Sequence, residues 1–459
     1  MCSKVYSTLP ASQVALVVSP VPGLAAWYVR MRSPTPTSAG ERIGMDRKRI
    51  LARTIIASAL TMLSGVLVFL LLNVGGWRAR IVSRITRIEN WPVVVPAPTG
   101  FRPWVPVGFR ASVFAKGFVS PRWLAVSPNG DVFVADSAAG QVIVLRGISA
   151  QGSAESRSIF VDHLNLPFGI AFQDEYAYIA DTNEVLRFRY DPHSSIRLGD
   201  AEHLLKLPGL GYNQHWTRSL AFSPDGRKMF VSVGSRSNIG VESDPRRAAI
   251  LVAEPDGHNM RAYASGLRNA VGIACNPQSG DLWASVNETD DLGDDLPSDY
   301  FTRVQENAFY GWPYAYGDRH PDNRVSPRPD LVARMILPDV LLGAHVAPLQ
   351  FAFGDKRQFP KPYWDGAFIA EHGSWNRRLR SGYQVVFVSF RNGLPVGEPQ
   401  PFFAGFVPAP TKKEVYGRPV GVAFAADGSL LISDDGAKLI WRVVYGERKR
   451  PVVTVWTSP

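Results

Sequence analysis

The sequence predicts an all-β protein, a six-bladed β-propeller with an N-terminal transmembrane helix. Three observations predict it. One strand–turn–strand phrase recurs six times, most recurrences lie about 50 residues apart, and one long uncharged run stands near the start.

Composition sets the bounds. The 459 residues are 46% hydrophobic and 20% charged, which excludes a disordered chain and a polytopic membrane protein. Forty Gly, 36 Pro and 11% aromatic residues suit many short strands joined by turns. Two cysteines, Cys2 and Cys275, exclude a disulfide framework and a cysteine-built zinc site, and Cys275 sits in an apolar strand as a core residue. The net charge of +10 is misleading until it is located. Residues 1–100 carry a balance of +9 and residues 101–459 only +1. The folded body is therefore nearly neutral, and nucleic-acid binding has no electrostatic support.

Residues 1–48 read as an N-terminal extension without a domain pattern, and Met45 opens a phrase, MDRKRI, typical of a natural start. The region 49–76 reads as a transmembrane signal anchor. Its 21 residues from Thr54 to Val74 carry no charge, long enough to cross a ~30 Å hydrocarbon core, with a buried core helix as the alternative. The basic run DRKRILAR ahead of it places the N-terminus in the cytoplasm, although Arg78, Arg80, Arg84 and Arg87 follow. The body then faces the periplasm from a single-pass inner-membrane anchor. Residues 77–107, rich in Pro, form a tether.

Residues 108–446 carry the repeat, and 447–459 form a tail. The copies begin WLAVSPNGDVFVAD (123), FGIAFQDEYAYIAD (168), SLAFSPDGRKMFVSV (219), VGIACNPQSGDLWASV (271), GAFIAEHGSWNRR (366, divergent) and VGVAFAADGSLLISD (420). Most alternate apolar and polar residues around an N-G, D-G or S-G reversal, which is hairpin chemistry. Their starts are 45, 51, 52, 95 and 54 residues apart, a blade-length period with one long insertion. A β-sandwich pair is the structural alternative.

Chemistry is expected where loops enter the blades. His215 precedes a blade strand and titrates near neutrality when unperturbed, which suits a general base, though an exposed loop histidine reads the same way. Arg268-Asn269 precede another strand and suit an anionic, carbonyl-rich ligand. The loop NETDDLGDDLPSD (287–299) offers hard oxygens for calcium but lacks the EF-hand order, and it also reads as a solvated acidic turn. EHGSWNRRLRSG (371–382) is dense in donors, and YGWPYAYG and GAHVAPLQF add aromatic and constrained surface. No H-E-x-x-H, G-x-S-x-G or P-loop pattern is present.

Taken in order, HWTRSLAFSPDG, GLRNAVGIA, NETDDLGDDLPSDY, YGWPYAYG, HVAPL, EHGSWNR and GRPVGVAFAADG resemble the glucose/sorbosone dehydrogenase family, and most nearly its membrane-associated L-sorbosone dehydrogenase branch. The resemblance covers about three-quarters of the chain and none of residues 1–100. It implies a six-bladed propeller that binds pyrroloquinoline quinone (PQQ) and Ca2+. It implies that His215 is the catalytic base and that Arg268 stabilises charge on the quinone oxygen. Asn269 would hold the cofactor's carbonyl side, Arg418 would pair with a PQQ carboxylate, and His345 would lie beside the cofactor plane. Backbone carbonyls at Glu288–Thr289 would bind calcium, with Asp294 and Asp295 matching acidic positions of the family's calcium loop. The family's cofactor-pairing lysine has no counterpart, and Arg377 or Arg378 would replace it. NLPFGIAF places Pro167 and Phe168 where the glucose enzymes carry a pocket glutamine. The expected activity is oxidation of a sugar aldehyde or aldose, with electrons passed to a respiratory acceptor. A calcium-dependent lactonase or sugar-ester hydrolase and a non-catalytic sugar-binding propeller are the competing expectations.

Overall fold

The computed structural model describes residues 56–66, 88–209 and 215–446. The helix over 56–66 belongs to one compact unit, and the remaining described residues belong to a second. The N-terminal extension, the rest of the expected membrane span and the C-terminal tail lie outside the described residues. Among the described residues no helix is long and apolar enough to cross a membrane.

In the second unit the described residues form six antiparallel sheets of four or five strands. Their innermost strands are Pro121–Val126, Ile170–Gln173, Leu220–Phe222, Ala270–Cys275, Pro348–Phe353 and Pro419–Phe424. Each touches the next and the last touches the first, which closes a propeller of six blades. The ring is sealed within blade 6, where Phe109–Lys116 pairs with Leu439–Tyr445 as the outermost strand.

Six hydrophobic clusters hold the blades together, one at each interface between neighbours. Phe133 and Val144 of blade 1 meet Ile179 and Phe188 of blade 2, and Phe368 and Val385 of blade 5 meet Val422 and Leu430 of blade 6. Each such buried side chain is worth about 1.5–3 kcal/mol over exposure. The period-2 alternation read in the sequence is this two-sided packing, with both faces of every sheet covered.

The recurring glycine of the repeat has a steric cause at the axis. A Cβ at Gly272 would stand 2.3 Å from the carbonyl of Leu349 in the next blade, and one at Gly421 2.2 Å from that of Arg122. The inner strands approach each other too closely for a side chain there. Serines of the second strands stitch the same contact. Ser433 accepts from the Gly421 N–H and donates to the Arg122 carbonyl, and Ser285 does the same between Gly272 and Leu349.

One sequence expectation shifts by one element, and the long interval holds its insertion as expected. The fifth copy, read from 366, is the second and third strands of blade 5, whose inner strand is Pro348–Phe353 in the HVAPLQF tract. The long interval holds an insertion between Arg303 and Val340 of blade 4, containing the helix Pro329–Arg334. The Pro-rich stretch is docked from Asn90 onward. Val93–Val94 pairs in parallel with Glu414–Val415, the Trp104 N–H donates to the Ala404 carbonyl (2.8 Å), and Phe101 packs edge-on against Phe406, Tyr416 and Trp441. It is a strap laid along blades 5 and 6.

Candidate active site

At one end of the blades each inner strand begins and each second strand ends, so loops from all six sheets converge there. A pocket of about 160 Å³ lies at this end, lined by Trp91, His215, Arg268, Asn269, Asn287, Glu288, Asp290, Asp299, His345, Ala347, Trp375 and Asn376.

His215 has a left-handed backbone (φ 62°) just before blade 3. Its Nδ1 lies 3.0 Å from the Ser235 carbonyl and 2.9 Å from Ser235 Oγ, which itself donates to the Ser237 carbonyl. A carbonyl only accepts, so Nδ1 carries the proton and Nε2 keeps its lone pair. Burial first, and then the Arg268 charge, hold the imidazole well below its ordinary value. At neutral pH the ring is uncharged and its basic nitrogen is Nε2. Gly234 permits this arrangement, since a Cβ there would meet Asn269 Oδ1 at 2.3 Å and His215 Cβ at 2.6 Å.

Arg268 is 2% exposed and engages four of its five N–H donors. It donates to the carbonyl (3.1 Å) and Oδ1 (3.0 Å) of Asn238, to the Asn287 carbonyl (3.3 Å) and to Asp290 Oδ2 (2.8 Å). The neighbouring Asn269 Oδ1 is buried and finds no hydrogen-bond partner among the described residues. An orphaned buried oxygen costs about 1–3 kcal/mol unless a ligand completes it.

The other wall is acidic. Burial pushes the Glu288 carboxyl up to about 7, with only the Thr289 N–H and more distant charges opposing it. Asp299 is likewise raised by burial, although it accepts from the N–H groups of Glu288 and Ala347 (2.8 Å each). His345 donates from Nε2 to the Gly293 carbonyl (2.8 Å) and accepts at Nδ1 from Asn376 (3.2 Å), which also donates to Asp290 Oδ1 (2.6 Å). Two carboxyls pushed toward neutrality beside an unpartnered amide oxygen form an oxygen-only donor set. That chemistry suits a hard cation. The amides, the Arg268 guanidinium and the Trp375 ring suit a flat, carbonyl-rich group. Among the described residues no three His, Cys, Asp or Glu side chains already form a metal cluster.

A family model described as TrAA12-like matches residues 103–314 and 331–446. The chain belongs to the TrAA12-like family. It is 28% identical over 353 residues to an uncharacterized protein of Borreliella burgdorferi, covering 74% of this chain and 90% of that one. It is 24% identical over 393 residues to a pyrroloquinoline quinone-dependent pyranose dehydrogenase of Coprinopsis cinerea, covering 72% of this chain and 52% of that one, so the match spans about half of that relative. The iodide structure of the Trichoderma reesei carbohydrate-active enzyme family AA12 superposes with a TM-score of 0.66 at 22% identity, covering 75% of this chain and 98% of that one. That likeness shows the fold.

Within this TrAA12-like propeller the expected site residues divide. His215, Arg268, Asn269, Glu288 and His345 share the pocket. Thr289 stands behind it, its Oγ1 donating to Asn238 Oδ1 (3.0 Å) and accepting from Arg324 of the insertion (2.9 Å). Arg377 and Arg378 do not line the pocket. They face the expected calcium-loop acids instead, Arg377 with Asp295 (2.9 Å) and Arg378 with Asp294 (3.3 Å). Each pair neutralises itself outside the pocket, because like loops of neighbouring blades bring opposite charges together there.

Arg418 is in a second polar group at the same end of the blades. It donates to the carbonyls of His372 and Gly373 (3.2 Å each). Asp435 pairs with Arg122 and accepts from His372 Nε2 (2.8 Å). Against the burial that would raise it, His372, Arg122 and Arg418 hold the Asp435 carboxyl far below the usual range. Arg122 also lies over the rings of Trp216 (5.3 Å) and Phe168 (5.5 Å), which links this group to the segment carrying His215. Sequence reasoning missed Arg122, Ser235, Asn238 and Trp91, which carry no motif, whereas Asp290, Asp299 and Asn376 lay in stretches it had singled out.

Proposed function

We propose that this chain is a PQQ-dependent, calcium-requiring dehydrogenase of sugar aldehydes or aldoses of the sorbosone type. The observation that carries the reading is the half-buried, uncharged His215, with Nδ1 fixed by Ser235 and Nε2 basic, beside Arg268 and Asn269 in one pocket. The name of the Coprinopsis cinerea relative supports the cofactor and the substrate class. PQQ, when bound, supplies a two-electron acceptor that the side chains of the protein lack.

The chain's own residues do the rest. His215 Nε2 takes the proton from the substrate hydroxyl, or from the hydrate of an aldehyde. Arg268, paired with Asp290 and held by four hydrogen bonds, keeps one Nη1–H to donate where negative charge develops. Asn269 Oδ1, Glu288 and Asp299, which line the same pocket, would hold calcium. The uncharged run at 54–74 anchors the protein in the inner membrane, the propeller faces the periplasm, and a respiratory acceptor reoxidises the site.

The test is dye-linked dehydrogenase activity after adding PQQ and calcium to apo protein. His215→Gln should lower kcat by about 10²–10⁴-fold, the usual contribution of a general base. Unchanged turnover in His215→Gln would remove the base assignment. The convergence of Glu288, Asp290 and Asp299 on the pocket favours one second reading, a calcium-dependent lactonase. It predicts hydrolysis of sugar lactones with calcium alone.

A further inference from the structure

The strap carries one side chain into the pocket from outside the family domain. Residues 88–102 precede the stretch matched by the family model, yet Trp91 is among the lining residues. Its indole lies on that of Trp375, with ring centroids 4.4 Å apart and planes 14° from parallel.

The strap is fixed at this point. The Asn90 N–H donates to the Trp375 carbonyl (2.7 Å), and Asn90 Nδ2 donates to the carbonyls of Arg377 (2.9 Å) and Arg378 (3.0 Å). Arg380, only 7% exposed, donates to the carbonyl and Oδ1 of Asn90 and to the Trp91 carbonyl (3.3 Å). Beyond Trp91 the Val93–Val94 pairing resumes contact with the body. The backbone is held on both sides of a tryptophan that keeps 51% of its surface exposed. One face of the anchored indole is covered by Trp375, and half of its surface stays open.

The pocket's lining is chemically divided. Arg268, Asn269, Glu288 and Asp299 give it a polar floor that PQQ and calcium would take, which leaves His215 and the apolar wall of Trp91, Trp375 and Ala347 to face a substrate. A pyranose ring has the same division, with C–H faces and a hydroxyl edge. An aromatic plate against the C–H face and a few placed polar groups on the edge orient such a ring. At about 160 Å³ the cavity is small beside the ~300–1,000 Å³ usual for ligand sites. Trp91 is the residue whose removal widens it without disturbing the polar floor.

We propose that Trp91 is a specificity-determining residue. With Trp375 it forms the aromatic wall against which a pyranose ring packs, and its strap restricts the pocket to a single sugar unit. The inference rests on the sugar dehydrogenase reading.

The test compares wild type, Trp91→Ala and Trp91→Phe as full-length protein loaded with PQQ and calcium. The probes are D-glucose and D-galactose as monosaccharides, and maltose and cellobiose as disaccharides. Trp91→Ala should raise KM for the monosaccharides about 2- to 10-fold with kcat nearly unchanged, the scale of one aromatic contact. It should also shift kcat/KM toward the disaccharides, while Trp91→Phe keeps the wild-type pattern. Circular dichroism gives a readout independent of turnover, since the stacked indoles couple and monosaccharide should perturb that signal in wild type and not in Trp91→Ala. An active wild type with the same KM values and the same mono- to disaccharide preference in Trp91→Ala overturns the inference. If wild type binds PQQ but oxidises none of these four sugars, the pyranose inference falls, while the dehydrogenase reading stands or falls on L-sorbosone assayed in parallel.

Discussion

Which nitrogen of His215 carries the proton follows from one carbonyl, that of Ser235, and it fixes how activity should depend on pH. Burial and Arg268 hold the imidazole well below 6.5, so protonation switches the base off only as the pH falls through that lowered value. From pH 8 down to 6.5 the base stays unprotonated. At saturating calcium, which would hold Glu288 and Asp299 ionised, the pH profile of kcat/KM should therefore be flat across that window, and a rate falling tenfold per unit just below 7 would contradict the assignment. Gly234→Ala tests the geometry from the other side. The added methyl meets Asn269 Oδ1 and His215 Cβ, and strain of about 1–3 kcal/mol with loss of most activity is expected from thermal unfolding and turnover. His372 gives a stability readout. Burial, and then the Arg418 charge, push it down to about 4, against 6.5 in the unfolded chain. Between these values the unfolded chain binds more protons, so this contribution is complete above pH 6.5 and is lost as the pH falls toward 4, up to about 3 kcal/mol. Urea midpoints at pH 7 and pH 5 should differ less for His372→Gln than for wild type.

The elements differ in how much the sequence shows of them. Copies of the repeat that turn at N-G or D-G are plain, because the turn residues and the alternation are local properties. Blade 5 was read one strand late because its inner strand Pro348–Phe353 is followed by a longer connection through Lys361–Tyr363 rather than a tight Gly turn. The site shows the same divide. His215, Arg268-Asn269 and Glu288 could be found since each adjoins a blade strand that the repeat shows, whereas His345, next to the strand the repeat hides, came only with the family resemblance. The pairing of Arg377 and Arg378 with Asp295 and Asp294 joins segments over 80 residues apart, and nothing in the local pattern encodes it. The insertion in blade 4 matters for function through Arg324, which binds Asp322 (2.6 Å), the Asp290 carbonyl (2.8 Å) and Thr289 Oγ1 (2.9 Å). Arg324→Met should leave Asp322 buried without its partner, costing about 3–5 kcal/mol by denaturant titration, and should weaken calcium binding by the adjoining loop.

For the whole molecule, closure of the ring lets the loops of blades 3, 4 and 5, with the strap, act as one site. Every blade interface is packed, and the first strand, Phe109–Lys116, completes the last blade. His215 of blade 3, Asn269 and Glu288 of blade 4, His345 of the blade 4–5 junction and Asn376 of blade 5 are therefore held by a frame rather than by their own loops. A rigid frame presents its polar groups before any ligand arrives, which is the condition for electrostatic stabilisation without reorganisation. The most direct test of the account is a visible-absorption titration of the purified apo protein with PQQ, with and without calcium. One PQQ per chain, bound in the presence of calcium and released by a chelator, is the predicted result, with His215→Gln binding as wild type does. Absorbance that adds without saturation in both conditions would contradict the account.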